Sequence, residues 1–97
     1  MAKRIDANQP EIVAAMRQYG ARVLPIHELG KGAPDVLVGF RGQNFLFEIK
    51  NGTKVPSARK LTEDEEEWHQ NWRGQVTVIT SVSEAIAFLE RVAWPGK

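Results

Sequence analysis

The chemically richest feature of this sequence is an apolar run that ends in Glu48-Ile49-Lys50. Side chains alternate along a strand, so Glu48 and Lys50 share one face while Phe45, Phe47 and Ile49 take the other. A second run, Asp35-Val36-Leu37-Val38-Gly39-Phe40, sends Val36, Val38 and Phe40 to one face and Asp35 to the opposite one. Cleaving a phosphodiester requires a nucleophilic water, charge stabilisation at the phosphate and help for the leaving oxygen. Carboxylate-bound Mg²⁺ can supply all three. A lysine beside the cation can orient or help deprotonate the water, and its charge favours an anionic transition state. Two acids and one lysine on adjoining strands are therefore a minimal hydrolytic site. The same residues also fit a cross-strand salt bridge at a solvated sheet edge, and spacing alone leaves both readings open.

Whether the three residues meet depends on the connection between the strands. Asp35-Val36-Leu37-Val38-Gly39-Phe40 and Asn44-Phe45-Leu46-Phe47-Glu48-Ile49-Lys50 flank Arg41-Gly42-Gln43 and read as a hairpin. An even loop centred on Gly42-Gln43 puts Asp35 opposite Lys50 and diagonal to Glu48, roughly 7 to 8 Å away. An odd loop turns Asp35 to the far side of the sheet. The even loop is the expectation.

The elements around this hairpin announce themselves in turn. Asn8-Gln9-Pro10-Glu11 opens a first helix, with Asn8 as cap and Glu11 closing a capping box ahead of Ile12, Val13, Met16 and Tyr19; Gly20 ends it. Residues 22–29 read as a strand, with Pro25 favouring an edge or a bulge. Residues 30–34 and 51–57 are loops. Thr62 opens a second helix with a Thr62–Glu65 capping box, and Trp68 and Trp72, four apart, mark its expected buried face. Residues 75–80 are a short apolar strand, and Ser81 and Glu84 start a last helix bearing Ala85, Phe88, Leu89 and Val92. The order αβββαβα implies a mixed central sheet flanked by helices.

Composition narrows the class. A chain of 97 residues with 42% hydrophobic content buries one modest core, implying a single domain over residues 1–97. No apolar run approaches the roughly 20 residues of a membrane span. Met1-Ala2-Lys3-Arg4-Ile5-Asp6 lacks an apolar signal core, so a soluble, cytoplasmic protein is expected. The absence of cysteine excludes disulfides, thiolate nucleophiles and cysteine-ligated zinc, leaving oxygen and imidazole as metal donors. A formal charge of +1 does not by itself point to a nucleic-acid partner. Lys31, Arg41, Lys54, Arg59 and Lys60 fall in loops around the hairpin and are candidate phosphate contacts. The acidic block of Glu63, Asp64, Glu65, Glu66 and Glu67 reads as a helix start favoured by the helix dipole.

The stretch Gly30-Lys31-Gly32-Ala33-Pro34-Asp35-Val36-Leu37-Val38, then Phe47-Glu48-Ile49-Lys50, then Leu61-Thr62 leading to Trp68, closely resembles the VRR-NUC family. These are virus-type replication and repair nucleases of the PD-(D/E)xK superfamily. The resemblance runs from the first helix to the last strand. It implies a restriction-endonuclease-like core, dependence on Mg²⁺ or Mn²⁺, and cleavage of branched or flapped DNA, with small stand-alone members resembling homodimers suited to four-way junctions. By position it implies that Asp35 and Glu48 are metal ligands, that Ile49 offers its backbone carbonyl, that Lys50 is the catalytic lysine and that Glu11 matches the first-helix acid. Glu11 equally suits capping of its own helix. Where many relatives carry a glutamine in the second helix, this chain has Glu65, an acid that suits either a helix cap or a change in metal affinity or substrate preference and is left outside the catalytic set.

His27-Glu28 and His69 do not have a recognised metal-ligand spacing, and His27 reads as a partly buried strand residue. Trp94, near the tail, is a candidate dimer contact.

Overall fold

In the computed structural model, which describes residues 5–96, the central hairpin consists of β2 (Val36–Phe40) and β3 (Gln43–Ile49). Residues 1–4, part of the stretch read above for its lack of a signal core, lie outside the described residues. Only Arg41 and Gly42 connect the two strands, both with positive φ (54° and 77°), as a tight two-residue hairpin turn requires. The loop is even, as expected, but centred one residue earlier than Gly42-Gln43. Continuing the register Val36↔Phe47 by one residue sets Asp35 across from Glu48 and diagonal to Lys50, the reverse of the pairing read from the sequence.

Two further strands complete a four-stranded mixed sheet of order β1-β2-β3-β4. β1 (Arg22–Pro25) pairs antiparallel with β2 and forms an edge, which accommodates Pro25. It is shorter than residues 22–29. After Pro25 the chain turns into a short 3-10 segment, His27–Leu29, leaving Leu29 exposed and His27 half-buried outside any strand. β4 (Thr77–Ile79) runs parallel to β3. It too is shorter than expected, because the Gln75 side chain takes the place of a strand residue. Its Oε1 accepts from Leu46 N at 2.8 Å and its Nε2 donates to Leu46 O at 2.8 Å.

The two faces of the sheet differ in chemistry. On one, Val36, Val38, Phe45, Phe47, Ile49 and Ile79 pack against Ile12, Val13 and Met16 of α1 (Gln9–Tyr19) and Ala85 and Leu89 of α3 (Val82–Ala93). Phe88 closes this core with edge-on contacts to Phe45 and Phe47 at 5.0 and 4.8 Å. The opposite face carries Glu48 and Lys50 and is met by α2 (Glu63–Asn71). The helices therefore lie in two layers, with the sheet between them. Among the described residues no helix is long and apolar enough to cross a membrane.

Helix ends follow local chemistry with one exception. Thr62 and Glu65 form the full reciprocal capping box of α2, and Ser81 accepts from Glu84 N at the start of α3. Asn8 does not cap α1. Its Nδ2 instead donates to Lys50 O and Thr80 O, each at 3.1 Å, tying the start of α1 to the ends of β3 and β4. The expected capping box with Glu11 is thus not formed on Asn8.

Candidate active site

Asp35 stands one residue before β2, and its backbone is held from both neighbouring strands. Its N–H donates to Phe47 O at 3.0 Å, and its carbonyl accepts from Ile26 N at 2.8 Å. The loop feeding it packs tightly on α2: a Cβ at Gly32, where φ is +82°, would meet the Asp64 carbonyl oxygen at 2.2 Å. Only glycine fits there. The Asp35 side chain then reaches β3, where Oδ2 accepts from Ile49 N at 2.6 Å. The aspartate is thereby locked onto the peptide that joins Glu48 to Lys50. An extended residue points its N–H and C=O to the same side, so the Ile49 carbonyl lies on the Asp35 side of β3 as well.

Lys50 is fixed by its backbone at the end of β3, donating N–H to Ile79 O at 3.0 Å and accepting from Asn8. Its ammonium lies 2.6 Å from Glu65 Oε1 and 3.9 Å from Glu48 Oε2. The same Glu65 oxygen accepts from Thr62 N at 2.9 Å, so one atom both caps α2 and holds the lysine. The other Glu48 oxygen, Oε1, is 4.0 Å from His69 Nε2. Glu65 and His69 are one helical turn apart, so α2 presents both to the polar face of the sheet.

Asp35, Glu48, Lys50 and Glu65 are all buried. Among the described residues, three buried carboxylates gather around the Lys50 ammonium, and burial makes each of their electrostatic interactions stronger than at the surface. The donors fit a hard divalent cation in kind: carboxylate oxygens of Asp35 and Glu48 and the carbonyl of Ile49. Among the described residues no three His, Asp or Glu side chains converge as a ready-made cage.

The other sequence candidates are dispersed. Glu11 is exposed and lines a separate depression with Asn51, Thr53 and Ser81, so it is not gathered with Asp35 and Glu48. Arg41 sits in the hairpin turn, its guanidinium 5.9 Å from the Phe40 ring. Six residues of strand separate it from Asp35, roughly 20 Å, so it does not flank the site as the loop positions suggested. Lys54 lies 3.8 Å from Asp6, and Arg59 Nη1 donates to Gly52 O at 3.0 Å, which fixes the loop after β3. Lys60 is exposed ahead of α2, and Lys31 lines a depression with Asp64, Glu67, Trp68 and Trp72.

Two residues of the site were not in the expected set. From the sequence, Glu65 reads as a cap or as a modifier of metal affinity or substrate preference, outside the catalytic set, and His69 has significance only beside His27. No spacing in the sequence marks either of them, because the inner face of α2 is polar only by virtue of meeting the polar face of the sheet. Trp68 and Trp72 do not form that inner face. They stack on one another with centroids 4.6 Å apart, and Trp72 is 44% exposed.

Compared with protein-family models, curated proteins and solved structures, the chain gives no match in any of the three.

Proposed function

We propose that this protein is a metal-dependent DNA endonuclease of the VRR-NUC type within the PD-(D/E)xK superfamily, with Asp35, Glu48 and Lys50 at its centre. The reading is supported above all by the convergence of the buried Asp35, Glu48 and Lys50 side chains on one face of the sheet at the end of β3. Nothing in the apolar core requires these charges, and burying ionised groups costs stability, so their place here has a reason other than packing.

Glu48 and Asp35 would hold Mg²⁺ or Mn²⁺ together with the Ile49 carbonyl. When bound, the ion supplies Lewis-acid activation of water and neutralisation of the phosphate. The chain's own residues do the positioning. The Ile49 N–H fixes the Asp35 carboxylate, and Glu65 holds the Lys50 ammonium beside Glu48. From there Lys50 can orient the attacking water and offset the charge that develops on the phosphate.

The substrate reading is branched DNA such as a four-way junction or a flap, gripped by a homodimer, since one domain of this size offers little surface for a branched duplex. Lys31, Lys54, Arg59 and Lys60 are the phosphate contacts at the site end of the sheet, and exposed Trp94 is the candidate dimer contact. A nicking assay on branched and linear DNA tests the reading. Cleavage should require Mg²⁺ or Mn²⁺, stop with EDTA, favour the branched substrate and fall at least about 100-fold in Lys50→Ala. Solution mass near twice the 10.9 kDa of the chain should accompany it.

One observation favours a second reading, a non-catalytic module that binds DNA or a replication partner. Glu65 holds the Lys50 ammonium at 2.6 Å, which could reserve the lysine for structure. Junction binding without cleavage under any divalent ion would support it.

A further inference from the structure

We propose that His69 is a nitrogen ligand of the divalent cation held on Glu48, and that this imidazole shifts the site's preference from Mg²⁺ towards transition-metal ions. The inference rests on the metal-dependent reading above and adds to it a residue from α2.

The two oxygens of Glu48 face different neighbours: Oε2 is 3.9 Å from the Lys50 ammonium and Oε1 is 4.0 Å from His69 Nε2. A separation of 4.0 Å is too long for a direct hydrogen bond. It is within reach of two donors on one ion, since ligands at about 2.1 Å from a common centre can stand up to about 4.2 Å apart. The imidazole is placed rather than loose. Its side chain is only 14% exposed, the Trp68 ring meets it edge-on at 6.0 Å, and the helix that carries it is anchored one turn earlier through Glu65 and Lys50. His27 is remote in role as well as in sequence, lying in the 3-10 segment after β1.

An ion on Glu48 Oε1 would thus meet one carboxylate oxygen from β3 and one imidazole nitrogen from α2, and water would complete its shell. Mg²⁺ prefers an all-oxygen shell and gives up its waters reluctantly. Imidazole donors favour later divalent ions, whose affinities rise from Mn²⁺ through Co²⁺ and Ni²⁺. A nitrogen at this position therefore strengthens binding of Co²⁺ more than that of Mg²⁺.

The test uses the untagged full chain. Pulsed electron paramagnetic resonance of the Mn²⁺ complex should show coupling to an imidazole ¹⁴N that disappears in His69→Ala and persists in His27→Ala. Calorimetry should show Co²⁺ affinity falling about tenfold or more in His69→Ala, with Mg²⁺ affinity nearly unchanged. His69→Gln, which keeps bulk and a polar end, should also lose the nitrogen coupling, and circular dichroism of each variant establishes that it is folded. Mn²⁺ binding without nitrogen coupling, or coupling that survives in folded His69→Ala, would overturn the proposal while leaving a metal-dependent site in place. Failure of the wild-type chain to bind Mn²⁺ at all would remove both.

Discussion

Glu65 shows how one side chain can serve stability and chemistry together, since its Oε1 accepts from the α2 N-cap and from the Lys50 ammonium. Glu65→Ala should therefore lose the cap, worth about 1 kcal/mol, and the shorter of the two carboxylate contacts of Lys50, for a total of about 2–4 kcal/mol in urea denaturation. Glu65→Gln retains an acceptor for both donors and should lose about 1–2 kcal/mol. Wild-type stability in Glu65→Ala would mean that neither the cap nor the contact with Lys50 contributes. Of the residues around the site, Asp35, Glu48 and Lys50 were legible in the sequence because each interrupts or ends an apolar run where an acid or base has no packing reason to be. Glu65 was not. A Thr-x-x-Glu spacing fully accounts for a helix cap, and nothing in a linear spacing tells that the capping oxygen also meets a lysine from another element. His69 was hidden for the same reason.

The hairpin decides whether the site exists at all. Period-two alternation gave the parity of the connection, and with it the face on which Asp35 lies, but not the exact centre of the turn. Gln43 joins β3 and leaves Arg41-Gly42 to turn with both φ positive, shifting the partner of Asp35 from Lys50 to Glu48. The helix α2 was legible in its start and misread in its orientation. Two tryptophans four apart imply a buried apolar stripe only if the opposing surface is apolar, and here that surface carries Glu48 and Lys50. The loop before Asp35 offers a test at this scale. Gly32→Ala combines a left-handed backbone with a Cβ that collides with the Asp64 carbonyl. It should cost about 2 kcal/mol or more in thermal or urea unfolding, and cleavage should fall too, because the same loop sets Asp35. Wild-type stability in Gly32→Ala would show that this loop is not pressed against α2.

Over the whole molecule, the sheet separates an apolar layer, α1 and α3, from a polar layer in which α2 covers the site. The order αβββαβα was readable from periodicity and caps, whereas the ends of β1 and β4 were not, because Pro25 and the strand-mimicking Gln75 end the ladders locally. Basic residues are unevenly placed on this frame: Lys60 stands ahead of α2, whereas Arg41 occupies the far hairpin turn. If DNA lies across the site end, Lys60→Ala should weaken junction binding and reduce the salt dependence of log K by about one unit, while Arg41→Ala should leave both unchanged. A stronger effect from Arg41 would put the DNA along the opposite end of the sheet. The central claim is that the acids at the end of β3 serve a cation that cleaves phosphodiesters. Its most direct test is the Mn²⁺-dependent cleavage rate of a labelled four-way junction by wild-type protein and by Glu48→Gln, with junction binding measured in parallel. The account predicts cleavage by the wild type, loss of at least about 100-fold in Glu48→Gln and retained binding. Undiminished cleavage by Glu48→Gln, or none by the wild type, would contradict it.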